Sequence, residues 1–392
     1  MYDLIVENAR IYPMTGDLAP ATERSLAVCD GRIVDLGAEG PAHERLDAGG
    51  RCVLPGFIDC HTHALYAGDR MDEHVRKLGG ATYEEISRAG GGIRTTVNAV
   101  RAATEEQLVE QTLPRITALV REGVTCIEIK SGYGLDLGTE IKMLSAMRAL
   151  QARVPVTIVP TFLGAHAVPA PASRADYLND VVERMLPAVA AEKLAALTDI
   201  FVEHIAFDLE DLRRVAEHAH ALGLGLHAHT EQLSALGGTA LAARLGALAC
   251  SHLEYCDERD VAALAANGTV AVLLPCAFYF LRETRKPPVE LLRQSGVAMA
   301  VATDLNPGTS PVASLLAALH MSCTLFGLTP AEALLGTTRH AARALGLEAE
   351  RGSLAPGMRA DFTLWDLPRP EYLAYQLGGL APDAVYVGGK AL

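Results

Sequence analysis

His61 and His63 stand one residue apart at the end of the apolar run that opens PGFIDCHTHALYAGDR, Pro55 to Arg70. Residues two apart in an extended strand face the same way, so both imidazoles can reach one ion. Neutral imidazole suits zinc and iron alike, and a two-residue clip leaves such an ion open to ligands from elsewhere in the chain. Other short apolar runs also end in polar residues: His166 after FLGA, Glu203 and His204 after DIFV, His227 and His229 in GLHAHT, His252 in ACSH, and Asp304 after AVAT. A lone histidine at such a place is as often a packed, hydrogen-bonded residue as a ligand. Their accumulation at the ends of successive runs points to a histidine-rich metal site. His229 and Asp304 are the best candidates to complete it. A metal there would lower the pKa of a bound water to about 7 and polarise a carbonyl oxygen, and Asp304 could take the water's proton.

The elements that must carry these residues are eight apolar runs: CVLPGFIDCHTH, VTCIEIK, VTIVPTFLGAH, DIFVEHI, GLGLHAHT, ALACSHLEY, TVAVLLP and VAMAVATDLN. Helical stretches such as TEEQLVEQTLPRITALVREG and DLEDLRRVAEHAHALG lie between them. Strands alternating with helices predict an α/β protein with a parallel sheet, and eight of them predict a (β/α)8 TIM-like barrel. No GxGxxG loop supports an open doubly wound sheet. Barrel active sites lie at the C-terminal strand ends, which is where the polar residues fall. The second run also leads into Lys130, Ser131 and Tyr133; Gln232 follows the fifth and Asn306 the eighth. Only the seventh ends blandly, at Pro275. Residues 1–55 and 350–392 read differently, as short strands and glycine turns, with Asp30-Gly31 a hairpin signal. They predict a small β-sandwich domain built from both termini, with the barrel over 56–349. The segment GGGIRTTV, Gly90 to Val97, reads as a flexible loop over the site.

The chain has 392 residues, 50% hydrophobic and 21% charged, with a net charge of −13. The acidic balance argues against nucleic-acid binding and against a basic membrane-surface protein. An anionic substrate would need a local cation. Eight cysteines without a CxxC pair or regular framework fit reduced thiols in a cytoplasm. The start, MYDLIVENAR, lacks the basic and apolar regions of a signal peptide, and no apolar run is long enough to span a bilayer.

With HTH on the first strand, later single histidines and an aspartate ending the eighth, the chain resembles the amidohydrolase superfamily. HTHALYAGDR, EIKSGYGL, FLGAHAVP, HTEQLSALGG, SHLEY and TDLNPGT together are similar to the imidazolonepropionase family, across essentially the whole chain. That resemblance implies hydrolysis of 4-imidazolone-5-propanoate to N-formimidoyl-L-glutamate in histidine breakdown, one Zn2+ or Fe3+ per subunit, and a homodimer. It implies His61, His63, His229 and Asp304 as metal ligands, His229 being preferred to His227 because it lies three residues before Gln232. It implies that Arg70 holds the propanoate and that Tyr133 and His166 bind substrate. Gln232 would contact the ring and His252 would assist catalysis. Asn306, Gly308 and Thr309 would touch substrate or product. The fourth strand lacks a lysine that could be carboxylated to bridge two metals, which favours a single ion, and His204 reads as structural. A related deaminase acting on a purine-like ring would share the metal without needing Arg70 and Tyr133. A non-catalytic scaffold barrel would not need the ligands at all.

Overall fold

A computed structural model of the chain describes residues 1–80 and 91–392. The N-terminal segment folds into β1 (Tyr2–Glu7), β2 (Arg10–Ile11), β3 (Leu26–Cys29), β4 (Arg32–Leu36), β5 (Ala42–Asp47) and β6 (Cys52–Pro55). One four-stranded sheet has the order β4-β3-β1-β5. Its β3–β4 hairpin turns at Asp30 and Gly31, with φ of 48° and 71°. Two successive positive φ values are what a two-residue turn matched to the strand twist requires, hence the Asp-Gly pair. A second sheet joins the two ends of the chain. It takes β2 and β6 from the N-terminal side and three strands from the other end: β15 (Phe362–Trp365), β16 (Ala384–Val387) and β17 (Lys390–Ala391). Leu4, Val6, Val28, Val53, Phe362 and Leu364 share one buried cluster between the sheets, and the Phe362 and Tyr386 rings stack at 4.5 Å.

The run CVLPGFIDC does two jobs. Its first half, β6, belongs to this terminal sheet, and its second half, β7 (Phe57–Asp59), is the first barrel strand. Gly56 divides them. A Cβ there would lie 2.3 Å from Thr125 Oγ1, so only glycine permits the approach.

The barrel continues through β8 (Val124–Lys130), β9 (Thr157–Ala165), β10 (Leu197–Val202), β11 (Gly225–Thr230), β12 (Ala249–His252), β13 (Val270–Leu273) and β14 (Met299–Val301). Neighbours in sequence are neighbours in the sheet, from β7 to β14, all parallel. The two outer strands close on each other just past their ends: Asp304 N–H donates to His61 O at 3.0 Å and His63 N–H to Leu305 O at 2.9 Å. Helices start where side chains cap them. Thr104, Asp208 and Asp257 each form a reciprocal capping box, opening helices Glu105–Arg121, Leu209–Ala221 and Glu258–Asn267. Among the described residues, no helix is long and apolar enough to cross a membrane.

One expectation is corrected. Gly90 lies outside the described residues, but Ile93 to Val97 open a regular helix, Ile93–Ala102, with Gly92 as its N-cap. Val97 and Val100 are buried three residues apart, so tertiary packing holds as helix a stretch whose sequence reads as loop.

Candidate metal centre and active site

His61 and His63 lie just beyond β7, His229 near the end of β11, and their ligand atoms fall within 4.8 Å of one another. Nε2 of His61 and of His229 is buried without a hydrogen-bond partner. Orphaned buried polar atoms are rare and call for a reason. The opposite ring nitrogens are occupied: His61 Nδ1 meets Ser251 Oγ at 2.9 Å, and His229 Nδ1 meets Asp199 Oδ1 at 3.1 Å. Such outer partners fix ring orientation and turn the free nitrogen inward. Burial, reinforced by Lys130 and His229 around His61 and by His166 and His229 around His63, holds both imidazoles well below the usual pKa, so both are neutral donors.

Asp304 completes the set. Its Oδ1 lies 3.5 Å from His61 Nε2 and 3.6 Å from His63 Nε2. These separations are long for hydrogen bonds and close to the roughly 3.4 Å between two ligand atoms on a tetrahedral ion with bonds of ~2.1 Å. Burial pushes the Asp304 carboxyl well above its ordinary range, although Asn306 and Lys130 act to lower it. A cation among these four side chains would act in the same sense as Lys130. Three imidazoles and one carboxylate, with the inward Nε2 of His61 and of His229 unpaired, fit a single divalent or trivalent ion.

A fully buried polar chain backs this cluster. Lys130 Nζ sits 2.8 Å from Glu128 Oε1 and 2.9 Å from Asp199 Oδ2. Burial alone would discharge the lysine, but Asp199 and Glu128 hold its pKa above the ordinary value. Asp199 then fixes His229. Glu128 Oε2 accepts from Thr62 N–H at 3.1 Å, and Thr62 Oγ1–H donates to Glu128 O at 2.7 Å. Thr62 is the residue between His61 and His63, so one lysine braces both sources of imidazole.

A cavity of about 630 Å³ opens over the cluster. His63, His229 and Asp304 line it, with Tyr133, His166, Gln232 and His252 around them and Arg70, Asn306, Gly308 and Thr309 also on its wall. Of the twelve residues to which the resemblance gives a role, only His61 is absent from this lining.

Residues 52–392 match the Amidohydrolase family. The chain is 52% identical over 384 residues to the imidazolonepropionase of Mesorhizobium japonicum, covering 95% of this chain and 94% of that protein. It is 56% identical over 340 residues to the imidazolonepropionase of Ruegeria pomeroyi, covering 86% and 84%. The chain belongs to the amidohydrolase family, among its imidazolonepropionases. Solved structures share the fold at much lower identity. A 5-methylcytosine deaminase from Klebsiella pneumoniae superposes with a TM-score of 0.76 at 16% identity, over 99% of this chain and 97% of that one. An adenosine deaminase from Xanthomonas campestris gives 0.71 at 18%, over 100% and 92%.

In this amidohydrolase the loops around the cavity are held by the protein itself. Glu140 accepts N–H groups from Gly132, Gly134 and Leu135, which shapes SGYGL. Gly132 has φ of 100°, and a Cβ there would lie 2.6 Å from Leu163 O; the close approach that selects this glycine is to backbone. His166 Nδ1 meets Gly132 O at 3.0 Å and its ring stacks on His63. Burial, with His229 nearby, brings the His166 pKa down to about 4. Asn306 spends its amide on its own loop, donating to Asp304 O at 2.7 Å and accepting from the N–H groups of Gly308 and Thr309. His252 ends β12 and Leu253 follows it, with φ of 80° and 76°, a strained pair that aims the His252 ring toward His61 and His229.

Two sequence candidates fall outside the amidohydrolase centre. His227 points along the same face as His229 but one layer away, and its Nε2 meets Ala344 O at 2.8 Å. His204 is half exposed beside Glu203 and Ser234. Conversely, the sequence reading assigned no role to Glu128, Lys130, Asp199, Ser251 or Glu73. The usable signal was charge inside apolar strands: Glu128 and Lys130 alternate with isoleucines in VTCIEIK, although all seven residues are buried. A second acidic group, Glu231, Cys256 and Asp260, resembles a metal cluster by distance alone. Its carboxylates accept from Gly238, Thr239, Ala240 and Asp257, so it caps and joins helices.

Proposed function

We propose that this amidohydrolase hydrolyses the ring C–N bond of 4-imidazolone-5-propanoate to N-formimidoyl-L-glutamate, with His61, His63, His229 and Asp304 holding one zinc or iron ion. The observation that carries the reading is the shared cavity: His63, His229, Asp304 and the carboxylate-binding type of cation, Arg70, all face one space. The ion would supply an activated water and a polarised carbonyl. The protein's own groups do the rest. Asp304 accepts the proton of the attacking water and returns it to the ring nitrogen as the C–N bond breaks. His252 lies beside His229 and steadies the charge that develops on the carbonyl oxygen. Tyr133, His166 and Gln232 border the ring. Eight free cysteines, six of them buried, suit a reducing cytoplasm.

Arg70 is already positioned for a carboxylate. Its Nε and one Nη lie 2.9 and 2.8 Å from Glu73 Oε2, which fixes the guanidinium plane. The other Nη passes Gly308, where a Cβ would come within 2.4 Å of it. A side chain at 308 would push the guanidinium out of this position. Arg70→Ala is expected to raise KM roughly thirtyfold with little change in kcat, reflecting about 2 kcal/mol of charge-assisted hydrogen bonding. An unchanged KM would show that the tail binds elsewhere.

The reading as a whole is tested by an assay on freshly prepared imidazolone propanoate, with metal content measured on the same sample. Ring opening with about one zinc or iron per chain is expected. Ammonia release from purines without ring opening of the imidazolone would favour a deaminase. A protein that neither holds nor takes up metal would sink the hydrolase.

A further inference from the structure

Helix Met71–Leu78 carries a second cation toward the same cavity. Lys77 lies one turn beyond Glu73, is half-buried, and lines the main cavity together with Arg70 and Gly308. The same three residues line a smaller cavity of about 240 Å³, alongside His74 and Phe280, so Lys77 stands in the wall common to both. Among the described residues its Nζ has no hydrogen-bond or ion-pair partner. Arg70, by contrast, is neutralised by Glu73 at 2.8 Å. Arg70 and Glu73 together therefore offer direction but no net charge, and the only net positive charge of this trio is that of Lys77.

We propose that Lys77 is a specificity-determining residue, the second cation that draws the substrate's propanoate to Arg70. It rests on the assignment of imidazolone propanoate as substrate. Burial and the Arg70 charge both disfavour the protonated lysine, with Glu73 opposing them. An incoming carboxylate relieves that conflict, which is the condition under which a partly buried cation favours an anionic ligand.

The test is calorimetric titration of the metal-loaded enzyme with 3-(imidazol-4-yl)propanoate and with its neutral amide, at low and high salt. Lys77→Met is expected to weaken propanoate binding about tenfold at low salt, with Lys77→Arg recovering most of it and the amide indifferent to either change. KM for imidazolone propanoate follows the propanoate affinity while kcat stays within about twofold. Equal propanoate affinity in wild type and Lys77→Met overturns the proposal, as does an equal loss for the amide. If Lys77-dependent propanoate binding appeared in an enzyme that did not open imidazolone propanoate, the substrate assignment would fall and the carboxylate site would stand.

Discussion

Asp304→Asn is expected to lower kcat by about a thousandfold, the middle of the range for removal of one general base. The substitution keeps shape while replacing one carboxylate oxygen with an amide NH2 and removing the negative charge. Asp304 has φ of 53°, a left-handed conformation that asparagine adopts as readily as aspartate. Its N–H bond to His61 O, which closes the barrel, is unaffected. Melting behaviour should therefore match the parent, and the three imidazoles should still retain metal when it is supplied in excess. Turnover within a few-fold of the parent in that metal-loaded variant would remove Asp304 from the proton-transfer role.

Lys130→Met should be the most destabilising single change at the site. Methionine has similar bulk, but its substitution leaves the Glu128 and Asp199 carboxylates buried and facing each other without a cation. Breaking a buried pair in this way costs about 3–5 kcal/mol, and here two pairs share the lysine. Urea unfolding should show the loss as a lower midpoint with an unchanged slope. Metal should also leave faster on chelator challenge, because Asp199 orients His229 and Glu128 holds Thr62 between His61 and His63. A midpoint and a metal-release rate both equal to those of the parent would show that the chain from Lys130 braces nothing.

The barrel was legible because parallel strands buried on both faces must be apolar throughout, and runs such as TVAVLLP and VTIVPTFLGAH satisfy that. The candidate ligand positions were legible because histidines and Asp304 end those runs, where an unspecialised core has no use for them. The supporting groups were not. Asp199 and Ser251 sit inside strands, and their purpose depends on which strand lies beside them: β10 is paired with β11 so that Phe201 faces His229. Such register is not visible along one strand. Glu73 and Lys77 occupy an eight-residue helix whose first residue follows Arg70 without a side-chain cap. GGGIRTTV was misread for a related reason. Its glycines and β-branched residues argue against helix locally, and only the contacts of Val97 and Val100 decide otherwise.

The closing hydrogen bonds of the barrel join residues 61 and 63 to residues 304 and 305. During synthesis the first half of the site therefore waits for most of the chain to appear. His61 and His63 emerge with the first barrel strand, yet the carboxylate meant to face them arrives more than two hundred residues later. Contacts of such high sequence separation form late, because the loop they close must be ordered first. Assembly of the candidate centre and completion of the fold thus become one event, and a chain stopped before its eighth barrel strand would display exposed imidazoles and an open sheet edge.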